Sequence, residues 1–343
     1  MKALMKTEKA PGAKLMDVDI PIISPKDVLI KLKATAICGS DIHIYHWSPF
    51  AQARINPPMI FGHEGCGEVI EVGNQVTNIA AGDLVAIETH IPDGECYQCQ
   101  TGAQHVCQNL KIIGVHTDGV FAEYARIPAV CCWKLPKGTN PELGAIMEPI
   151  GVAVNGALKE EICNKSVAVF GCGPIGLFCL GALDCWGAAR IFAIEPNTDR
   201  LTMAGKITPN AVLLNPEKDD VSSVILEATE GRGVDVAIDI SGSVKAVKQA
   251  FKVIGQGGRI TLIGIPSEPL EINIDDDIIY KEARVFGSTG RIMWQTWWDV
   301  KRLLDSGKFD PMPVITHRFP LSEFEQAIKL AESSKAGKII LYP

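Results

Sequence analysis

The run Ser166-Val167-Ala168-Val169-Phe170 followed by Gly171-Cys172-Gly173-Pro174-Ile175-Gly176 constrains the fold of this chain more than any other segment. A β-prone stretch leads into glycines spaced G-x-G-x-x-G, and an apolar, helix-compatible stretch opens directly behind them. The pattern predicts a strand, a tight turn and a helix that starts at the strand's carboxyl end. The three glycines answer three needs: the turn itself, the approach of a ligand to bare backbone, and close packing of helix on strand. Free amides and the positive dipole end at such a helix start form a phosphate site. Glycines of this spacing also occur in plain structural turns, so the flanking units decide between the two readings.

Those units are present. Candidate strands follow at Arg190–Glu195, Ala211–Leu214, Val234–Ile240, Arg259–Gly264 and Arg284–Gly287, with helix-like segments between several of them. Six apolar strands joined by crossovers predict a doubly wound parallel sheet of the Rossmann type, an α/β architecture. The second strand ends at Glu195, 19 residues past Gly176, where a carboxylate accepts both ribose hydroxyls and repels a 2′-phosphate. That favours NAD over NADP; Arg200, five residues on, pulls the other way. Ile263, Gly264 and Ile265 end one strand, and Ser288 and Thr289 follow another. Both places face the nucleotide by the switch-point rule.

A chain of 343 residues exceeds what one hydrophobic core usually supports, so two domains are expected. The first 150 residues read as β-rich, with runs such as Val28-Leu29-Ile30-Lys31-Leu32 and the alternating Gly67–Gly73 between Pro and Gly turns. A net charge of -7 without a basic cluster argues against a nucleic-acid partner. The most membrane-like stretch, Val167–Leu183, is better explained by the strand, turn and helix already described. The opening residues lack the apolar segment of an export signal, so a cytoplasmic protein with reduced thiols is expected. Clustered cysteines among the eleven then point to metal.

Two short motifs in the β-rich part carry chemistry. Cys38-Gly39-Ser40-Asp41-Ile42-His43 offers a thiolate, a hydroxyl and an imidazole within six residues. Gly62-His63-Glu64-Gly65 adds an imidazole and a carboxylate between glycines. A catalytic zinc takes about three protein ligands and keeps one position open, which Cys38, His63 and one carboxylate would satisfy. Singly, Cys38 reads as a small buried residue and His63 as a turn histidine; together, ahead of a nucleotide fold, they read as a metal site. Cys66, Cys131, Cys132, Cys163, Cys172, Cys179 and Cys185 are read as ordinary thiols.

C-G-S-D-x-H, G-H-E-x-x-G, a cysteine-rich lobe and the glycine fingerprint, in this order, resemble the zinc-containing medium-chain dehydrogenases nearly end to end. Within them the chain is most similar to the L-threonine 3-dehydrogenase branch. Thr35–Trp47, Thr89-His90-Ile91, Gly119–Tyr124, Gly290–Trp297 and Ile315–Phe319 carry that likeness. The resemblance implies a β-rich, GroES-like catalytic domain from residues 1–150 and 291–343, with the Rossmann domain at 151–290 between them. It implies a homotetramer, and Cys38, His63 and Glu64 as zinc ligands. Glu148 lies where the family has an acidic residue close to the metal, exchanging with Glu64 or helping to move protons. Zinc would act as a Lewis acid on an alcohol oxygen. Ser40 would take the hydroxyl proton and pass it through the nicotinamide ribose to His43, histidine being the usual proton shuttle.

Cys96, Cys99 and Cys107 are spaced C-x2-C-x7-C; where the family has a fourth cysteine this chain has Asp93. Aspartate is an acceptable zinc ligand, so one reading is a structural zinc held by Asp93 and three cysteines. The competing readings are a lobe that has lost its zinc and, less plausibly by spacing, Glu95 in place of Asp93. The expected substrate is a small alcohol or amino alcohol. L-threonine, oxidised to 2-amino-3-oxobutanoate, is supported by His90, which lies where the family places a residue near the substrate. Val152 and Asn155 depart from the threonine enzymes, which usually have Asn and His there, and Val85–Glu88 reads more like the polyol branch. A polyol or vicinal-diol dehydrogenase is the alternative. A zinc- and nucleotide-binding protein without catalysis is the remote one, disfavoured because Cys38, His63, Ser40 and His43 are all present. Trp294, Trp297 and Trp298 share one helical face and are expected to pack.

Overall fold

The computed structural model describes residues 1–343 apart from Ser267. The backbone forms two compact units, Met1–Glu148 with Ile315–Pro343, and Pro149–Val314.

The first unit is built on β1 (Asp27–Ala36), in which Val28, Ile30, Leu32 and Ala34 are buried while Lys31 and Lys33 face water. That alternation makes it a central strand. β1 is followed by α1 (Gly39–Tyr45), and it pairs antiparallel with β2 (Glu64–Val72) and with the chain's last strand, Lys338–Tyr342. Beyond β2 lies β3 (Leu84–Ile87), and beyond the last strand lies Ile315–Pro320. Val28, Ile30, Val69, Val85, Ile87 and Ile127 fill one core of this sheet. Phe61, Phe121 and Phe324 form another, with edge-to-face contacts at 5.2 and 5.6 Å between Phe61 and the other two. Helix α2 (Pro141–Ala157) lays Gly144 against Cys66 of β2, where a side chain would meet the sulfur at 2.4 Å.

The second unit holds six parallel strands: β4 (Ser166–Phe170), β5 (Arg190–Ile194), β6 (Val212–Leu214), β7 (Val234–Asp239), β8 (Ile254–Leu262) and β9 (Arg284–Gly287). Their order across the sheet is β6-β5-β4-β7-β8-β9, so the winding reverses between β4 and β7, as a doubly wound sheet requires. Helix α3 (Pro174–Cys185) starts four residues after β4 and buries Leu177, Phe178, Leu180 and Leu183. No helix among the described residues is long and apolar enough to cross a membrane.

Two details differ from the sequence reading. Strand β8 begins at Ile254 rather than Arg259, because Gly255, Gly257 and Gly258 weaken its pattern without ending it. Residues 291–314 pack within the second unit rather than with the β-rich part. Phe309 fills the space beside Gly181 of α3, Arg291 fills that beside Gly151, and helix Gln295–Asp305 buries Trp297, Val300 and Leu303. Of the three tryptophans, Trp297 is buried and stands 5.7 Å from Trp294, while Trp298 is half exposed.

Candidate metal centres and nucleotide loop

Cys38 lies directly before α1, His63 lies directly before β2, and Glu64 opens β2. The β1–β2 register sets Glu64 opposite Ala36, which brings Cys38 to the same end of the sheet. The turn at Gly62 has φ +86°, and Phe121 sits where a side chain would go, 2.5 Å from that position. Only glycine fits there, and it delivers His63 inward. The result is a thiol, an imidazole and a carboxylate whose ligand atoms all lie within 4.8 Å of one another. His63 Nδ1, Glu64 Oε2 and the nearby Asp41 Oδ1 are buried and lack a hydrogen-bond partner among the described residues. His63 Nδ1 and Asp41 Oδ1 face each other at 3.6 Å as an ion pair, which leaves Glu64 Oε2 as the buried acceptor without a counterpart. An unpaired buried polar atom costs about 1–3 kcal/mol, so it marks a place for a group that satisfies it. Sulfur, nitrogen and oxygen donors together fit zinc. Ser40 and His43 sit one turn apart on α1, Ser40 half-buried and His43 exposed. Neighbouring positions at this spacing share a helix face. Glu148, on α2, stands close enough for its charge to act on Asp41, His63 and Glu64.

The second cluster is Asp93, Cys96, Cys99 and Cys107, again with ligand atoms within 4.8 Å of one another. Cys96 Sγ is 3.5 Å from Cys99 Sγ and 3.7 Å from Cys107 Sγ, and Asp93 Oδ1 is 3.3 Å from Cys99 Sγ. Zinc–ligand bonds of ordinary length at tetrahedral angles place sulfurs about 3.8 Å apart and sulfur about 3.5 Å from oxygen. Three of the six edges of the donor set are therefore close to those of a zinc tetrahedron, and the other three lie within 4.8 Å. Backbone amides of Cys96 and Glu95, with the Asn109 amide, hold the Asp93 carboxyl well below the usual carboxylate range.

In the second unit Gly171 has φ +99° and packs on the backbone of Ser241, and a side chain at Gly176 would strike Gly171 O at 2.0 Å. At Gly173 the nearest atom is Arg200 Nη1, 4.0 Å from where a side chain would begin, so this face is open beside a cation. Pro174 and Ile175 start α3 there, half-buried. The buried Glu195 accepts the backbone N–H of Cys172 through Oε2 (2.8 Å) and that of Asn197 through Oε1 (2.9 Å), which ties it to the glycine turn. Ile263 and Gly264 follow β8, with Gly264 packed on Gly242, while Ile265 is largely exposed. Ser288 and Thr289 follow β9, and the Ser288 hydroxyl is buried without a partner among the described residues. An open glycine face and an orphaned hydroxyl at strand carboxyl ends fit a bound dinucleotide.

Known proteins resemble this chain over its whole length. The alcohol dehydrogenase GroES-like domain matches residues 24–137, and the zinc-binding dehydrogenase domain matches residues 174–306. The L-threonine 3-dehydrogenase of Caldanaerobacter subterraneus subsp. tengcongensis is 44% identical, covering 100% of this chain and 99% of its own. That of Pyrococcus furiosus is 45% identical, covering 99% and 98%. The chain belongs to the zinc-binding alcohol dehydrogenases. Among solved structures, 2R,3R-butanediol dehydrogenase from Bacillus subtilis has the same fold, with a TM-score of 0.90 at 30% identity over 100% of this chain and 99% of that one. A zinc-binding dehydrogenase from Sinorhizobium meliloti 1021 bound to NADP gives 0.91 at 30% identity, with the same coverage. As a zinc-binding alcohol dehydrogenase, the chain is an oxidoreductase that works with zinc and a nicotinamide dinucleotide on a small-molecule alcohol.

The dehydrogenase site contains groups that sequence reading did not assign. Asp41 is fully buried, accepts the Cys38 N–H through Oδ2 (2.8 Å) and sets Oδ1 3.6 Å from His63 Nδ1. Its place in the motif was visible; its role depends on the first-turn geometry of α1. Lys338 is buried, donates to Ile37 O (2.9 Å) and pairs with Glu64 Oε1. Its only sequence signal is a charged residue opening an otherwise apolar strand. Burial pushes Glu64 up, to about 7, against the pull of the Lys338 ammonium. Burial alone would lower the His63 imidazole, but Asp41 and Cys38 outweigh it and hold it up at about 10. Metal-free, the cluster thus retains protons that a dication would displace. Glu88, also buried, accepts both the backbone N–H (2.9 Å) and ring Nδ1 (2.6 Å) of His90 and so orients that ring.

Proposed function

We propose that the chain oxidises L-threonine at C3 to 2-amino-3-oxobutanoate and passes the hydride to NAD. The observation that carries this is the convergence of the Cys38, His63 and Glu64 donors in a chain related end to end to L-threonine 3-dehydrogenases. Cys38, His63 and Glu64 would hold a zinc ion, which would supply a Lewis acid for the substrate hydroxyl. NAD, held at Gly171, Gly173 and Gly176, supplies the hydride acceptor. Ser40 receives the hydroxyl proton, and His43, one turn on and exposed, releases it to solvent. Glu148 serves as a second carboxylate beside the metal, exchanging with Glu64 or moving protons. Glu195 selects NAD by accepting ribose hydroxyls, while Arg200, beside the glycine turn, faces the phosphates. His90, oriented by Glu88, contacts the substrate.

We assign catalysis to the first unit and dinucleotide binding to the second. Asp93 closes a structural zinc site with Cys96, Cys99 and Cys107. The working form is a homotetramer in the cytoplasm. Asn155, where the threonine enzymes usually have His, has a task inside its own unit: its amide donates to Gly290 O (2.9 Å) and its oxygen accepts from Lys159 (2.9 Å). This departure therefore does not by itself speak against threonine. The diol reading rests on Val152, on Val85–Glu88 and on the butanediol enzyme, whose 30% identity falls well short of the 44–45% shared with the threonine enzymes.

The test is NADH formation by purified protein offered L-threonine, sorbitol and 2,3-butanediol in parallel, with zinc counted in the same preparation. Rapid turnover of threonine is expected. Turnover of a diol or polyol with threonine inert would move the substrate and keep the chemistry; no turnover with any alcohol at full zinc loading would favour the non-catalytic reading. Glu195→Ala is expected to weaken NAD by about tenfold, the worth of a charge-assisted hydrogen bond, and NADP by less. Equal loss of both cofactors would contradict the assignment of Glu195.

A further inference from the structure

Asn109 stands two residues past Cys107 and reaches both ends of the cysteine lobe. Its backbone N–H donates to Cys107 Sγ (3.3 Å), and its side-chain amide donates to Asp93 Oδ2 (2.7 Å). The other oxygen, Asp93 Oδ1, receives the N–H groups of Glu95 (2.9 Å) and Cys96 (3.1 Å) and lies 3.3 Å from Cys99 Sγ. One oxygen of the carboxylate is thus held from outside while its twin lies among the sulfurs.

We propose that Asn109 is the positioning residue that enables an aspartate to act as the fourth ligand of the structural zinc. The proposal rests on the reading of Asp93 as a ligand. A thiolate offers a single donor atom, so a cysteine at position 93 would need no such help. A carboxylate has two oxygens and turns about its Cβ–Cγ bond. It binds through either oxygen or both, and Asp93 is exposed enough to swing to water. The Asn109 amide on Oδ2, opposite the Glu95 and Cys96 N–H groups on Oδ1, stops that rotation and keeps Oδ1 on the side of Cys99 Sγ, where a fourth ligand atom is needed. The same amide offsets charge, since three thiolates and a carboxylate around a dication leave an excess of two negative charges. N–H groups from Asn109 (3.3 Å) and Asp93 (3.4 Å) on Cys107 Sγ add to that relief. Partners of this kind orient ligands and tune affinity by about 10–100-fold.

The experiment counts zinc in full-length protein and follows its release to a chelating dye, which separates the two metals by rate. Asn109→Ala is expected to speed release of one zinc by about 10–100-fold and leave the other unchanged. In an Asp93→Cys background the same Asn109→Ala change is expected to have no effect on release, because no second oxygen is left to hold. A general folding defect would accelerate loss in both backgrounds, and that result overturns the proposal. An unchanged rate in Asn109→Ala, alongside zinc loss in Asp93→Ala, overturns it while keeping Asp93 as ligand. If Asp93→Ala retains both zincs at the original rates, Asp93 is no ligand and the proposal falls with that reading. Cobalt substitution gives an independent readout: a changed visible spectrum in Asp93→Cys places residue 93 in the coordination shell.

Discussion

The two donor clusters of the first unit are assembled in opposite ways. Asp93, Cys96, Cys99 and Cys107 come from a single stretch of 15 residues, carry three sulfurs, and have their outer atoms capped by local N–H groups. Cys38, His63 and Glu64 come from two places brought together by the β1–β2 register and bridged by Asp41 and Lys338, and Glu64 Oε2 stays without a hydrogen-bond partner among the described residues. The first cluster is complete in itself. The second is a set of mixed donors with unmet needs, held in a buried pocket by the whole sheet. A closed set suits a metal that holds a loop in shape, and an unfinished one suits a metal that must also take a substrate.

The largest effect that separates them is on turnover. Cys38→Ser is expected to lower kcat by well over about 100-fold, beyond what loss of an outer-shell partner causes, and to cut zinc from two per chain to one with little change in Tm. Full activity in a Cys38→Ser preparation shown to lack that zinc would break the contrast outright. Cys107→Ser is the mirror image. It is expected to remove the other zinc and lower Tm by at least about 5 °C, because binding energy at a structural site is folding energy. Two zincs per chain and an unmoved Tm would mean that the lobe does not depend on its metal.

Lys338 tests how the unfinished cluster is supported. Lys338→Met leaves Glu64 buried without its cation, a change expected to cost about 3–5 kcal/mol in the metal-free protein and to weaken the catalytic zinc. Adding Glu64→Gln should restore much of the stability, since the carboxylate charge is then gone, but not the zinc. A double variant no more stable than the single one would show that Lys338 acts through packing alone.

How much of this was legible in the sequence follows the same division. The lobe reads directly from C-x2-C-x7-C because its ligands are neighbours in sequence, and the strand–glycine–helix at 166–185 reads directly because its period and turn are local. Cys38, His63 and Glu64 were identified by motif, yet their partner Lys338 lies 274 residues from Glu64 and only the sheet brings it near. Asp41 was in plain view, but its inward aim depends on a helical first turn that spacing does not reveal. The start of β8 was hidden by three glycines. Residues 291–314 pack with the rest of Pro149–Val314 through Arg291 and Phe309, whose glycine-lined spaces exist only in three dimensions.

The smallest expected effect concerns protons. In the metal-free cluster His63 is held up at about 10, burial opposing and Asp41 and Cys38 prevailing, against an ordinary value of about 6.5. A group raised on folding contributes stability that is complete below its unfolded value and is lost as pH climbs through the folded one. Metal-stripped protein should therefore lose a few degrees of Tm between about pH 6.5 and 10 from this source. Zinc-loaded protein should not, because the metal takes the proton's place on the imidazole. Asp41→Asn removes the leading attraction and should flatten the stripped protein's profile. Asp93 is already ionised across that range, so Asp93→Asn should leave the slope unchanged. If Asp93→Asn abolished the slope and Asp41→Asn did not, the pH-sensitive cluster would be the closed one, and the division between the two would have to be redrawn.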